Sequence, residues 1–376
     1  MLLRRQTSMF SKYDFRHYNF KLIIFVLALA TIGIMAVSSA DESLFQKQLL
    51  GVVAGAFIML VLSLFDYSII LKFYWAIYIL NVVLLVMVLF LGEQSNNAQR
   101  WTTILGVRFQ PSELAKVLIV LFFAMFILKH EEDFNSFKYV LISIALFALP
   151  AILVYEQPDL STTMVICLIF ASILFVGNLS YRIIGAIIVV AIPIFLILMY
   201  LIMQPDQKIV NEYQKGRIMS FFNKEETAND AGYQQTYSVM AIGSGQLSGK
   251  GYRNNEIYSV KNADFIAEQQ TDFIYAVIGE EFGFIGTASV IILIFFITIE
   301  CYMIAFRARD VAGRIIAAGI GTSIGFQGFI NIGVVTYILP NTGLPLPFVS
   351  YGLTSLIASF IGIGIVLNVG LQCKGK

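Results

Sequence analysis

Long apolar stretches separated by short polar punctuation run through the whole chain. Ten stand out, at residues 22–39, 49–65, 69–91, 114–128, 139–154, 160–176, 183–203, 273–306, 315–335 and 353–371. A helix of about 20 mostly apolar residues crosses a bilayer core, and these runs meet or nearly meet that length. The pattern predicts an all-α integral membrane protein with about ten transmembrane helices, a single polytopic membrane domain over 1–376. The narrowest division lies between 154 and 160, where Glu156-Gln157-Pro158-Asp159 leaves room only for a tight external turn. Arg4, Arg5, Lys12, Arg16 and Lys21 precede the first run, and Ser38-Ser39-Ala40 offers a small-residue cleavage site. The basic part is long, however, and a second apolar run follows at once. The first run therefore reads as an uncleaved transmembrane helix.

Lys and Arg in short connections set orientation. With the N-terminus inside, the inner connections and ends hold Arg4, Arg5, Lys12, Arg16, Lys21, Lys72, Lys129, Lys138, Arg182, Arg307, Arg309, Arg314, Lys374 and Lys376. The outer short loops hold Lys47, Arg100 and Arg108. That asymmetry predicts both termini in the cytoplasm. One connection is exceptional: residues 204–271 form a large extracytoplasmic loop between the seventh and eighth helices. It mixes aromatic residues with Gly243, Gly245, Gly249 and Gly251, as expected of a folded cap containing short helices at headgroup level.

Composition agrees with the pattern. The 376 residues are 58% hydrophobic and 13% charged, and mean hydropathy is +0.79. Soluble chains run at about 45–50% apolar and 25% charged. A net charge of +1 gives no bulk attraction to nucleic acid. Three cysteines, Cys167, Cys301 and Cys373, form neither a disulfide framework nor a zinc spacing, and two histidines exclude a histidine-based metal site.

Charged and polar residues inside or beside apolar runs are the candidates for chemistry. Asp272 begins the eighth run at the outer face. It reads either as a helix cap or as a general base, its pKa raised by partial desolvation. Tyr275 stands where a capping box would need Glu or Gln. Glu280 and Glu281 are expected roughly 12–13 Å deeper along the helix. Such a pair suggests a polar cavity or proton path, or a partner on another helix. Glu113 and Lys116, behind Pro111 at a helix head, read as an ordinary stabilising pair. Trp101 is an interfacial anchor, and Asp159 a turn residue or a catalytic one. Arg217 and Lys250, with Lys208, Lys215, Arg253 and Lys261, are the loop's basic candidates for holding an anionic group. The Gly243–Gly251 stretch is a weak candidate phosphate cradle. Asn331 lies within the ninth helix, ahead of an uncharged segment of prolines and glycines from Pro340 to Ser350 and Gly352. Irregular backbone of that kind is tolerated at a bilayer only when it is buried in protein or lines a cavity.

Several of these strings resemble the SEDS family of RodA, FtsW and their sporulation relative. They are Arg100-Trp101 through Phe109-Gln110-Pro111-Ser112-Glu113-Leu114-Ala115-Lys116, Gln157-Pro158-Asp159, Gly216-Arg217-Ile218, Tyr233-Gln234-Gln235, Ala241-Ile242-Gly243-Ser244-Gly245, and Asn331-Ile332-Gly333 with Leu344-Pro345-Leu346-Pro347-Phe348-Val349-Ser350-Tyr351-Gly352. Ser161 departs from the family's usual Gly, Asn223-Lys224 stands where a Pro is usual, and Leu353-Thr354-Ser355 replaces part of a Gly-Gly-Ser-Ser string. The resemblance covers about residues 20–372 and implies a bacterial peptidoglycan glycosyltransferase. Such an enzyme polymerises lipid II with release of undecaprenyl diphosphate, in elongation, division or sporulation. It further implies Asp272 as the catalytic residue and a substrate cavity including Trp101, Glu113, Lys116, Asp159, Arg217, Lys250, Glu280, Glu281, Asn331 and Ser350. A class B penicillin-binding protein is the implied partner. On charge grounds a divalent cation such as Mg²⁺ would suit the leaving diphosphate, although no metal motif accompanies it. The rival reading is a flippase for lipid II or a similar polyprenyl-linked sugar.

Overall fold

The computed structural model describes residues 18–95, 98–104, 107–204, 212–222, 231–253 and 268–373. In chain order the helices are α1 Phe20–Ala40, α2 Phe45–Ser63, α3 Tyr67–Leu71 and α4 Tyr74–Leu91, then α5 Pro111–Lys129, α6 Phe137–Glu156, α7 Leu160–Val176 and α8 Tyr181–Ile202. They continue with α9 Glu212–Phe222, α10 Ala231–Ser244, α11 Ile274–Arg307, α12 Val311–Val335 and α13 Leu353–Leu371. The ten apolar runs fall largely on helix, and among the described residues eight helical spans are long and apolar enough to cross a membrane. The chain is an all-α, multi-pass membrane protein. α5, α12 and α13 form its buried centre, while α2, α4 and α8 turn large apolar side chains such as Phe57, Phe90 and Val189 outward.

The 69–91 run is not one helix. Asp66 caps α3 by accepting from the Ser68 amide at 2.9 Å. Tyr67 then ties α3 to the bundle end, its amide donating to Asn368 and its hydroxyl to Asp310, both at 2.9 Å. A second departure is a small antiparallel sheet of β1 Glu93–Ser95, β2 Ala98–Ile104 and β3 Val107–Phe109 between α4 and α5. Thr102 pairs with Phe109 and Ile104 with Val107, in segments rich in the β-branched and aromatic residues that favour pleated backbone.

α11 is broken. Gly283 has φ +64, a left-handed conformation that non-glycine residues rarely adopt. Its broken turn is filled by the segment after α10: the Phe284 amide donates to the Gln246 carbonyl at 2.8 Å, and the Lys250 and Gly251 amides donate to the carbonyls of Glu280 and Glu281 at 2.9 and 3.0 Å. Backbones meet directly here. A methyl on Gly245 would lie 1.9 Å from the Gly279 oxygen, and one on Gly249 would lie 2.1 Å from the Glu281 oxygen. Of the glycines in 243–251 that were a candidate phosphate cradle, Gly245 and Gly249 are thus occupied by the backbone of α11, while Gly243 and Gly251 face open space.

The break also corrects the depth inferred for the carboxylate pair. α1 and α11 run antiparallel, with Asn19 donating to Glu300 at 2.7 Å at one end and Ser39 to Glu281 at the other. Glu281 is therefore level with the last residues of α1, at the end of the bundle and not deep within it. The 24 residues after Gly283 suffice to cross about 30 Å of hydrocarbon alone.

The proline-rich tail loop turns back into the bundle, where Leu344, Leu346, Phe348 and Val349 are buried. A methyl on Gly33 would lie 2.7 Å from the Val349 Cα, and Gly33 is seven residues, or about 10 Å, inside the end of α1. The loop's carbonyls are met by side chains: Gln327 donates to Pro345 at 2.9 Å and Asn331 to Leu344 at 2.6 Å. α10 seats on the end of α12, with Gln235 donating to the carbonyls of Val334 and Leu339, both at 2.8 Å.

Candidate functional site

The strand–turn–loop ends described above converge on Asp272. The N-cap of α11 is Phe273, and no side chain caps that helix. The helix-cap reading of Asp272 therefore fails, and the carboxylate is free for other work. Three consecutive carbonyls fix the segment that carries it. Gln270 accepts from the Tyr351 amide at 2.9 Å, Thr271 from the Ser350 hydroxyl at 2.5 Å, and Asp272 from the Asn331 amide group at 2.8 Å. Ser350 also accepts from the Leu346 amide at 2.7 Å. Ser350 and Asn331 thus stand behind Asp272 and hold it, rather than lying in front of it.

Gly343 makes the recess. With φ +72, it lies so close that a methyl there would sit 3.1 Å from Nη1 of Arg217 and 3.2 Å from Oδ2 of Asp272. Guanidinium and carboxylate face one another over this glycine. Asp272 keeps part of its surface accessible while protein surrounds it, and burial pushes its carboxyl up from 3.8 to about 6. The Arg217 charge opposes that rise and the Glu268 charge adds to it, while the Arg100 and Asp159 charges act more weakly, the first lowering and the second raising it.

Asp159 forms the far wall and is fully engaged there. Its carboxylate accepts from the Thr162 amide at 3.1 Å and from Gln110 at 3.3 Å, and pairs with Arg100 at 3.9 Å. Arg100 also donates to the carbonyls of Gln157 and Pro158. β2 alternation turns Trp101, the next residue, to the opposite face of the hairpin. Ser161 donates to the Thr342 carbonyl at 2.6 Å and so binds this wall to the tail loop.

Two further charged groups stand apart. Lys116 pairs with Glu113 at 2.9 Å and donates to Gln327, all three being buried between α5 and α12. Through Gln327 this group supports the Pro345 carbonyl. Lys250 pairs with Glu280 at 2.8 Å, beside the Ser39–Glu281 contact, so the structure joins Lys250, Glu280 and Glu281 to each other and to the end of α1. Arg253 contacts Ser38 and Glu42 at 2.7 and 3.2 Å, and Lys215 donates to the Gln204 carbonyl. Lys208 and Lys261 lie outside the described residues. Arg100, Glu268 and Gly343 were not singled out as site residues by sequence. Arg100 sat in the Arg100-Trp101 string, whereas nothing in the sequence distinguished Gly343 from its neighbours.

The family model of the FtsW/RodA/SpoVE type, described as cell cycle protein, matches residues 15–374. The chain belongs to this family. It is 34% identical over 365 residues to peptidoglycan glycosyltransferase MrdB of Escherichia coli K12, covering 96% of each chain. It is 29% identical to the probable peptidoglycan glycosyltransferase FtsW of Bacillus subtilis, covering 96% of this chain and 92% of the relative. Among solved structures, the rod shape determining protein RodA of Thermus thermophilus shares the fold at TM-score 0.70 and 24% identity, over 97% of this chain and 98% of that one. A chain from a peptidoglycan synthase complex that coordinates polymerisation and crosslinking matches at TM-score 0.77 and 24% identity, over 95% and 97%.

Proposed function

We propose that the protein is a peptidoglycan glycosyltransferase that polymerises lipid II, with Asp272 as its general base. The observation that carries this reading is the half-buried Asp272 carboxylate, unused as a cap, raised to about 6 and faced by Arg217 over Gly343. An acceptor hydroxyl entering the recess would give its proton to Asp272 as its oxygen bonds to the anomeric carbon. The bond from that carbon to the lipid diphosphate breaks on the opposite side, so the configuration inverts. Negative charge grows on the departing diphosphate, and Arg217 is the recess cation best placed to receive it. Among the described residues no three His, Cys, Asp or Glu side chains converge. A divalent cation accompanying the diphosphate would therefore be held chiefly by phosphate oxygens.

The Lys/Arg asymmetry supports cytoplasmic termini and an extracytoplasmic recess in the bacterial plasma membrane. The likeness to a chain from a polymerising and crosslinking complex supports a class B penicillin-binding protein as partner. The test is glycan synthesis from purified lipid II, with and without that transpeptidase, for wild type and Asp272→Asn. Polymer from wild type alone supports the reading. Equal polymer from both would move the base elsewhere, and lipid II crossing liposomes without polymer would make the protein a flippase.

A further inference from the structure

At the end of the bundle opposite Asp272, where α1 begins and α11 and α13 end, lies a groove of about 370 Å³. Glu300, Ile304 and Arg307 line it from one face of α11, being four and seven residues apart. Phe20 and Lys21 line it from α1, and Gly370 of α13 adds no side chain to its floor. Lys21 and Arg307 are exposed cations, and Phe20 is an exposed ring at 63%. Among the described residues Glu300 receives a hydrogen bond from Asn19, and a carboxylate accepts several. Lys21 sits in the first turn of an apolar span, which places its charge at headgroup level.

We propose that this groove binds an anionic phosphoglycerolipid whose headgroup carries hydroxyls, phosphatidylglycerol being the simplest. The phosphate lies between Lys21 and Arg307, a headgroup hydroxyl donates to Glu300, and the acyl chains follow the exposed Phe20 and Met303 into the bilayer. Two cations and one carboxylate leave a net positive charge that a singly anionic lipid neutralises. Basic pockets between transmembrane helices are the usual form of such sites. The chain's own flanking segments are poor occupants on charge: residues 1–17 carry Arg4, Arg5, Lys12 and Arg16 against Asp14, and Lys374 and Lys376 follow Cys373.

The test is native mass spectrometry of the full chain from micelles holding equal phosphatidylglycerol, phosphatidylmethanol and phosphatidylcholine. Wild type should retain phosphatidylglycerol above phosphatidylmethanol, which has the same charge but no headgroup hydroxyl, and phosphatidylcholine least. Lys21→Gln and Arg307→Gln should each weaken retention about fivefold. Gly370→Leu, which fills the groove without changing charge, should abolish it, with melting checked for each variant. Soluble glycerol 3-phosphate should not compete, since it lacks the chains. Equal retention by the charge variants would show that the two cations merely reach for water and overturn the proposal. Full retention by a folded Gly370→Leu would equally overturn it, because binding would then be diffuse surface attraction.

Discussion

If Asp272 is the base, its protonation should set the acid limb of the rate, and Arg217 should set where that limb falls. Ionised Asp272 is the active form, so the rate should fall as pH drops through about 6, well above the usual carboxylate range. Arg217 favours the ionised form. The positions of both groups around Gly343 put them no more than about 6 Å apart, where an effective dielectric of 20 gives at least ~3 kcal/mol. Solvent reaches both groups, and halving that figure for screening leaves ~1.4 kcal/mol, or about tenfold in proton affinity. Arg217→Gln should therefore move the midpoint of the acid limb from about 6 towards ~7, with a larger activity loss at pH 6.5 than at pH 8. Arg217→Lys should keep the midpoint near the wild-type value. The assay is glycan synthesis from lipid II between pH 5 and 8.5, with partner transpeptidase present and variant folding checked at each pH. A wild-type midpoint near 4, or an unmoved midpoint in Arg217→Gln, would refute the reasoning even if the variant were slow at every pH.

Four other outcomes are expected. Because the fold raises the Asp272 pKa, the ionised form costs stability above about 6 and costs nothing below the unfolded value; Asp272→Asn should thus melt higher than wild type at pH 8, by at most ~3 kcal/mol, and equally at pH 3.5. Gly343→Ala should cut kcat at least ~10-fold through φ strain and crowding of Arg217 and Asp272, with a modest change in melting; wild-type kcat would rule out the recess as drawn. Ser350→Ala loses two hydrogen bonds, ~1–1.5 kcal/mol each, and should lower kcat with little change in KM for lipid II; a rise in KM alone would make Ser350 a substrate contact. Lys116→Ala strands the buried Glu113 and should destabilise by ~3–5 kcal/mol, whereas Glu113→Gln with Lys116→Met should recover most of that in a thermal melt and fails to do so if the pair has no structural role.

The spans were readable because their signal is coarse. A run of some twenty apolar residues needs no tertiary context, and the uncharged proline-rich loop announced that it must be sheltered by protein. The interruptions were hidden because they depend on partners remote in sequence. Lys72-Phe73 offered no breaking residue, and α3 exists because Asn368 and Asp310 receive Tyr67 from the other end of the chain. The sheet of 93–109 was masked by the charged and polar residues around Thr102, Thr103 and Val107. Gly283 looked like one more small residue in a helix. The usable clue was a matched spacing: Gly245 and Gly249 are four apart, as are Gly279 and Gly283, and the two pairs meet backbone to backbone.

The same contrast explains why the base was readable and its setting was not. A carboxylate at the start of a span is conspicuous in sequence, but its reactivity depends on where the backbone around it is held. The carbonyls of residues 270, 271 and 272 accept in turn from Tyr351, Ser350 and Asn331, so α12 and the tail loop grip the chain just before α11. Eleven residues beyond Asp272, the Gly283 break frees the short first part of α11 from the direction of the span, and the Gly245–Gly251 segment takes over the amides that the break releases. Glu280 and Glu281 then serve as anchor points, through Lys250 and Ser39, for the same short helix. A helix continuous across residue 283 would tie Asp272 to the tilt of a span that answers to lipid. Separated from it, the base answers to a tail loop packed inside the protein, which can hold Asp272 against Arg217 while the spans adjust around it.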